Sequence, residues 1–168
     1  VMDDETRKKF DEAKGILKEK LREALKDADV VIVHNIPTMP FNFPATVAIN
    51  ELTEEMDTKF IYWIHDSIAL RREWSSYMKT WPFTEVLKRQ PNVTYVTITE
   101  FRAKQLSRLW NKRKCNAKDI EVIPNGIDID EYIKLDEETM KLNDKLGLRW
   151  EDYIILMPIR VVPRKNIE

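Results

Sequence analysis

Glycine is scarce in this chain, with three among 168 residues: Gly15, Gly126 and Gly147. A G-x-G-x-x-G dinucleotide loop or a Walker phosphate loop needs glycines close together, so neither exists within these residues. Cysteine is scarcer. Cys115 has no partner for an internal disulfide, which suits a reducing compartment. The two histidines, His34 and His65, stand far from each other and from the cysteine, so zinc-ligand spacing is missing. No serine sits in a nucleophile-elbow pattern. No apolar run approaches the roughly 18 residues that span a bilayer, and the charged, helix-patterned start has no signal-peptide core. A cytoplasmic location is the expectation. The net charge of −1 supplies no general attraction to nucleic acid or acidic membrane.

What is present is ample for a core: 43% hydrophobic and 10% aromatic residues, with a nearly balanced 34% charged. Phe10, Ala13, Leu17, Leu21, Ala24 and Ala28 recur at helical spacing and predict an amphipathic helix over residues 4–27. Apolar runs predict strands at 29–35, 59–66, 93–100, 120–126 and 153–159. Between them the pattern predicts a helix over 43–56 capped by Asn42, a short one over 83–89, a basic one over 101–114 and another over 137–146. Apolar strands alternating with helices imply an α/β fold, a Rossmann-like parallel sheet with helices on both faces. The turn-rich stretch 124–136 is the expected boundary between two layers.

In open α/β sheets ligands bind beyond the carboxyl ends of the strands. Those ends read His34-Asn35, His65-Asp66, Thr99-Glu100, Asn125-Gly126 and Arg160. Each follows a hydrophobic run, where polarity resumes in any case; five together point to a shared cleft. His65-Asp66 is the strongest pair, because a neutral imidazole holds a sugar hydroxyl or a phosphate and a neighbouring carboxylate tunes it. The competing reading is a structural histidine bonded to its own loop. The run ending at Ile159 delivers Arg160, Arg164 and Lys165 into a turn stopped by Pro163, where a helix begins. Arg160 and Lys165 have the charge and proximity for a diphosphate; the plainer reading is a solvated basic turn.

Two further features carry a sharp and a plain reading. The basic stretch 101–118, which contains Trp110, is a solvated face or a contact for an anionic membrane surface. No nucleic-acid partner is expected. The aromatic connection 67–82, with Trp74, Tyr77 and Trp81, is an acceptor loop stacking on a sugar face or simply packing, and packing is favoured.

Residues 122–128 (VIPNGID) and 158–166 (PIRVVPRKN), with 29–35 (DVVIVHN), 63–66 (WIHD) and 97–100 (TITE), resemble family 4 retaining glycosyltransferases at their domain junction. The resemblance runs from about Asp29 to Glu168. It implies the GT-B fold, two Rossmann-like halves with the donor nucleotide on the C-terminal half and the acceptor on the N-terminal half. Arg160 and Lys165 then match the cations that hold the donor diphosphate and assist its departure, and His65 the histidine near the transferred sugar. Asn125 and Gly126 match the turn into the second half. His34, Asn35, Asp66, Thr99 and Glu100 are the remaining substrate-binding candidates.

The chain departs from the family in lacking its glycine-rich N-terminal loop, in Ile159 where glycine is common, and in lacking the acidic ribose motif. It therefore resembles a fragment. Residues 1–124 stand for an acceptor-side domain without its first strands, 125–151 for a connection and helix, and 152–168 for the first strand and turn of a donor domain. The partners implied are a nucleotide-diphosphate sugar and an acceptor that is a glycan, lipid or small molecule, with no cofactor and no metal. The isolated piece is expected to be inactive, and its last strand to pair with a second copy as a homodimer. The alternative is a non-catalytic α/β module that binds a phosphorylated ligand or an anionic surface.

Overall fold

The computed structural model describes residues 2–110, 116–132, 136–149, 151–155, 158–159, 161 and 165. The chain divides into two compact units, Val1–Asn125 and Gly126–Glu168.

The first unit begins with helix α1 (Asp4–Leu25), whose free N–H groups are capped by Asp3; its carboxylate accepts from the Thr6 amide at 2.7 Å. Strand β1 (Val30–His34) follows, then α2 (Phe43–Glu55), entered through Asn42, whose side chain accepts from the Ala45 amide at 3.1 Å. Next come β2 (Lys59–Ile64), a connection of short 3₁₀ turns, and β3 (Val93–Thr97). Thr99 caps α3 (Glu100–Leu109), and β4 (Ile120–Val122) ends the sheet. Among the described residues four strands, all parallel, lie in the order β1-β2-β3-β4. This is the α/β class and the parallel, helix-flanked sheet that the alternating pattern predicts.

Alternation along each strand decides what the sheet buries. Val33, Phe60, Tyr62, Ile64, Val93, Tyr95 and Ile120 share one face and pack with Ile49 and Leu52 of α2 and with Ala103, Leu106 and Trp110 from α3 and its end. Leu21 and Leu25 of α1 join the same cluster. Leu52, Ile64 and Leu106 are fully buried, each contributing about 1.5–3 kcal/mol by leaving water. Cover on the other face is uneven. Val96 there is buried, whereas Val30 and Ile32 at the β1 edge are 48% and 55% exposed. Continuous apolar strands suggested equal cover; apolar residues at a sheet edge satisfy the same pattern while remaining wet.

The connection after β2 is largely packing. Met39, Ile68 and Val86 form a second small core with Phe43, Trp74, Met78 and Phe83 against them. Trp81, followed by a cis peptide bond to Pro82, meets Phe10 edge-on at 4.5 Å, with the Arg7 guanidinium 3.8 Å above its ring. The expected helix over 83–89 is a 3₁₀ segment, Phe83–Leu87.

The second unit holds α4 (Ile129–Tyr132) and α5 (Glu137–Leu146). Asp136 caps α5 by accepting from the Thr139 amide at 2.9 Å, and Gly147 ends it at φ 63°, a left-handed conformation that glycine adopts without steric cost. The apolar run expected as a strand is not one in its described residues. Tyr153 and Ile155 are 100% and 95% exposed, without a ladder partner. High β-propensity does not make a strand where no neighbour supplies the hydrogen bonds.

Candidate functional site

The carboxyl ends of β1 and β2 are clipped together by one side chain. Asn35 leaves β1 at φ 57°, a left-handed conformation that asparagine tolerates better than most residues. Its own amide donates to the Trp63 carbonyl at 2.9 Å. Its side-chain oxygen accepts from the His65 and Asp66 amides at 3.0 and 2.9 Å. Asn35, expected as a substrate contact, thus has its carbonyl engaged in holding the next loop.

That clip places the two histidines side by side. Their ring centroids are 5.0 Å apart, and His34 also stacks on Trp63 at 5.7 Å with planes inclined by 13°. His34 is exposed and His65 half-buried, so both remain accessible.

Asp66 is the most engaged group of the site. Its backbone carbonyl accepts from the buried Thr38 hydroxyl at 2.7 Å. One carboxylate oxygen accepts from the Ser67 amide at 2.8 Å and faces Arg102 at 3.5 Å; the other is paired with Arg71. Burial raises the carboxyl pKa, but the Arg71 and Ser67 hydrogen bonds and the charges of Arg71 and Arg102 outweigh it and hold the group below its ordinary value. Two guanidinium groups against one carboxylate leave an excess of one positive charge.

Arg102 arrives from the first turn of α3. Thr99 caps that turn by accepting from the Arg102 amide at 3.1 Å, and Glu100 beside it is exposed. Beneath them, the buried Thr97 hydroxyl donates to the Ile64 carbonyl at 2.9 Å and ties β3 to β2. His34, Asn35, His65, Asp66, Thr99 and Glu100 therefore all lie at the carboxyl edge of the sheet. Arg71 and Thr38 are additions that the sequence pattern did not single out, and Arg102 was read only as part of a basic helix. Position offered a signal for Arg102: the first turn of a helix that follows a strand end faces the ligand side of such a sheet.

Asn125 and Gly126 are exposed, on either side of the division between the units. Lys165 is exposed in the second unit. Arg160 lies outside the described residues, as do Pro163, Arg164 and residues 111–115 of the basic stretch. In α3, Lys104 and Arg108 are exposed together with Phe101, which is 69% exposed. No helix among the described residues is long and apolar enough to cross a membrane. Among the same residues no group of three or more His, Cys, Asp or Glu is placed to hold a metal ion.

The chain is similar to a mannosylglucosylglycerate synthase of Petrotoga mobilis, with 30% identity over 154 residues. The match covers 86% of this chain and 33% of that protein, so the chain spans about a third of the length of this curated relative. No protein-family model and no solved structure matches it.

Proposed function

We propose that this chain is a fragment of a glycosyltransferase of the family 4, GT-B type, spanning much of the acceptor-side half and the start of the donor-side half. It would move a sugar from a nucleotide-diphosphate donor to an acceptor, with retention at the anomeric carbon. The observation that carries this reading is the cluster at the carboxyl edge of the sheet. Two imidazoles 5.0 Å apart lie beside a carboxylate held between Arg71 and Arg102, within a chain that resembles a sugar-transferring enzyme over 86% of its length.

The chemistry assigns the roles. Departure of a nucleoside diphosphate builds negative charge on a phosphate oxygen, and preorganised cations stabilise that charge. Arg160 and Lys165 are the residues proposed for it. His65 would hold a hydroxyl of the sugar in transfer, with His34, stacked on Trp63 and tilted against His65, as the second polar wall. Asp66 remains ionised at neutral pH and orients Arg71 and Arg102. The excess positive charge of that trio suits an acceptor with a carboxylate, in keeping with the glycerate in the relative's name.

The test is nucleotide release by the native gene product across a panel of UDP- and GDP-hexoses, with glycerate or glycerol as trial acceptors. Donor-dependent release that glycerate enhances over glycerol is expected. His65→Ala should lower kcat/KM by on the order of a hundredfold, the scale of losing one preorganised polar contact to the reacting group. No release with any donor would refute the transferase reading.

A further inference from the structure

The two guanidinium groups beside Asp66 are not used alike. Arg71 donates a hydrogen bond to one carboxylate oxygen, so its charge is closely matched. Arg102 stands 3.5 Å from the other oxygen, longer than an N–H···O bond, and acts there by charge alone. Its hydrogen bond among the described residues runs from Nη1 to the uncharged Gln105 side chain at 3.0 Å. A guanidinium carries five N–H donors, and the Arg102 side chain is 23% exposed, within reach of a ligand. Of the two cations, Arg102 is the less engaged.

Its surroundings leave that charge uncancelled. Asp66 is one carboxylate between two guanidiniums. Glu100 lies two positions before Arg102 in the first turn of α3, a spacing at which helical side chains do not face each other. Gln105 fixes the Arg102 head without neutralising it. At the same strand ends, the His34 and His65 rings lie against each other and offer nitrogens that hydrogen-bond hydroxyls. A planar cation beside such groups suits a carboxylate carried on a hydroxylated carbon chain.

We infer that Arg102 is the specificity-determining residue of the acceptor subsite, taking the carboxylate of a hydroxy acid. Gln105 is its positioning partner, and Arg71 stays with Asp66. That the hydroxy acid is an acceptor rests on the transferase reading; that it binds at Arg102 does not.

The probe is D-glycerate, titrated into the isotope-labelled 168-residue chain while the Arg102 Nε–H resonance is followed by NMR. A saturable shift with millimolar affinity is expected, and none with glycerol. Followed through the His65 backbone amide, Arg102→Gln should weaken glycerate binding about tenfold, the scale of one charge-assisted contact, and Arg102→Lys should recover part of the loss. In the native gene product, Arg102→Gln should lower the ratio of kcat/KM for glycerate to that for glycerol by a similar factor. The proposal is overturned if no saturable shift occurs, if sodium acetate or inorganic phosphate gives the same response, or if Arg102→Gln leaves the glycerate affinity or that ratio unchanged. Arg102-dependent glycerate binding without nucleotide release by the native product would uphold the site and refute only the transferase reading.

Discussion

Asn35 and Asp66 sit at the ends of neighbouring strands, and the Asn35 side-chain oxygen accepts from the Asp66 amide at 2.9 Å. The same oxygen takes the His65 amide at 3.0 Å, so a single atom sets where both candidate residues stand. Asn35→Ala should cost about 1–3 kcal/mol for the two lost contacts and roughly 1 kcal/mol more for an alanine held at positive φ. Asn35→Gly should recover the second part only. Urea denaturation of the three proteins separates the two costs, and equal stability of the alanine and glycine variants would contradict the conformational part.

Asp66→Asn should leave stability within about 1 kcal/mol, since its partly exposed ion pairs are worth little in water. On the transferase proposal, transfer by the native product should nevertheless fall, because Arg71 and Arg102 lose the group that orients them. The folded pKa of Asp66 is depressed, so an acid limb of the rate profile that reports this group should lie below the ordinary aspartate value of about 3.9. A limb above that value would assign it to another residue.

The α1–α2 contact should weaken in acid. Lys18 bonds Glu51 at 2.6 Å and Glu55 at 2.5 Å, Lys14 bonds Glu51 at 2.9 Å, and Arg22 also pairs with Glu55. For Glu51, burial raises the pKa but the lysine hydrogen bonds outweigh it; for Glu55 the Lys18 hydrogen bond dominates outright. Both folded values lie below the unfolded one of about 4.3. The stabilisation is thus complete above that pH and is lost as pH falls through the folded values. Urea midpoints between pH 7 and pH 3 should show the loss, and Lys18→Met should flatten it. An unchanged slope in that variant would place the acid sensitivity elsewhere.

Tyr62 is buried under the helices and its hydroxyl donates to Asn50. Burial, with Tyr95 nearby, pushes its pKa far above the ordinary value of about 10. Alkaline difference absorbance should therefore show Tyr62 staying protonated until the fold opens. Because the folded pKa is the higher one, this group stabilises below the unfolded value and ceases to do so as pH rises. Tyr62→Phe should cost about 1–3 kcal/mol by leaving the Asn50 oxygen unpaired.

Much of this architecture was legible in the sequence. The runs containing Val31–Val33, Phe60–Ile64 and Val93–Thr97 became parallel strands. Asn42, read as a cap, became one with a side-chain hydrogen bond. The edge of the sheet where His34, His65 and Asp66 meet followed from strand ends alone. Partners that arrive from loops did not. Arg71 reaches Asp66 from a 3₁₀ connection whose path depends on the Met39–Ile68–Val86 packing, and spacing in sequence does not encode that path. The clip made by Asn35 was not legible for a related reason: a polar residue at a strand end serves a ligand or the backbone equally well until its hydrogen bonds are seen. The run at Tyr153–Ile155 had strand chemistry without a neighbour, and pairing is a property of two segments.

The strand order has a consequence for how this sheet assembles. In β1-β2-β3-β4 each strand lies against the one made just before it, whereas sheets that reverse direction leave an early strand waiting for a late partner. Loop-closure entropy is then met in short instalments, a condition that favours fast folding. As the chain emerges from the ribosome, β2 can dock on β1 across α2, and β3 on β2, before the second unit has been synthesised. The four described strands can thus pair in the direction of translation.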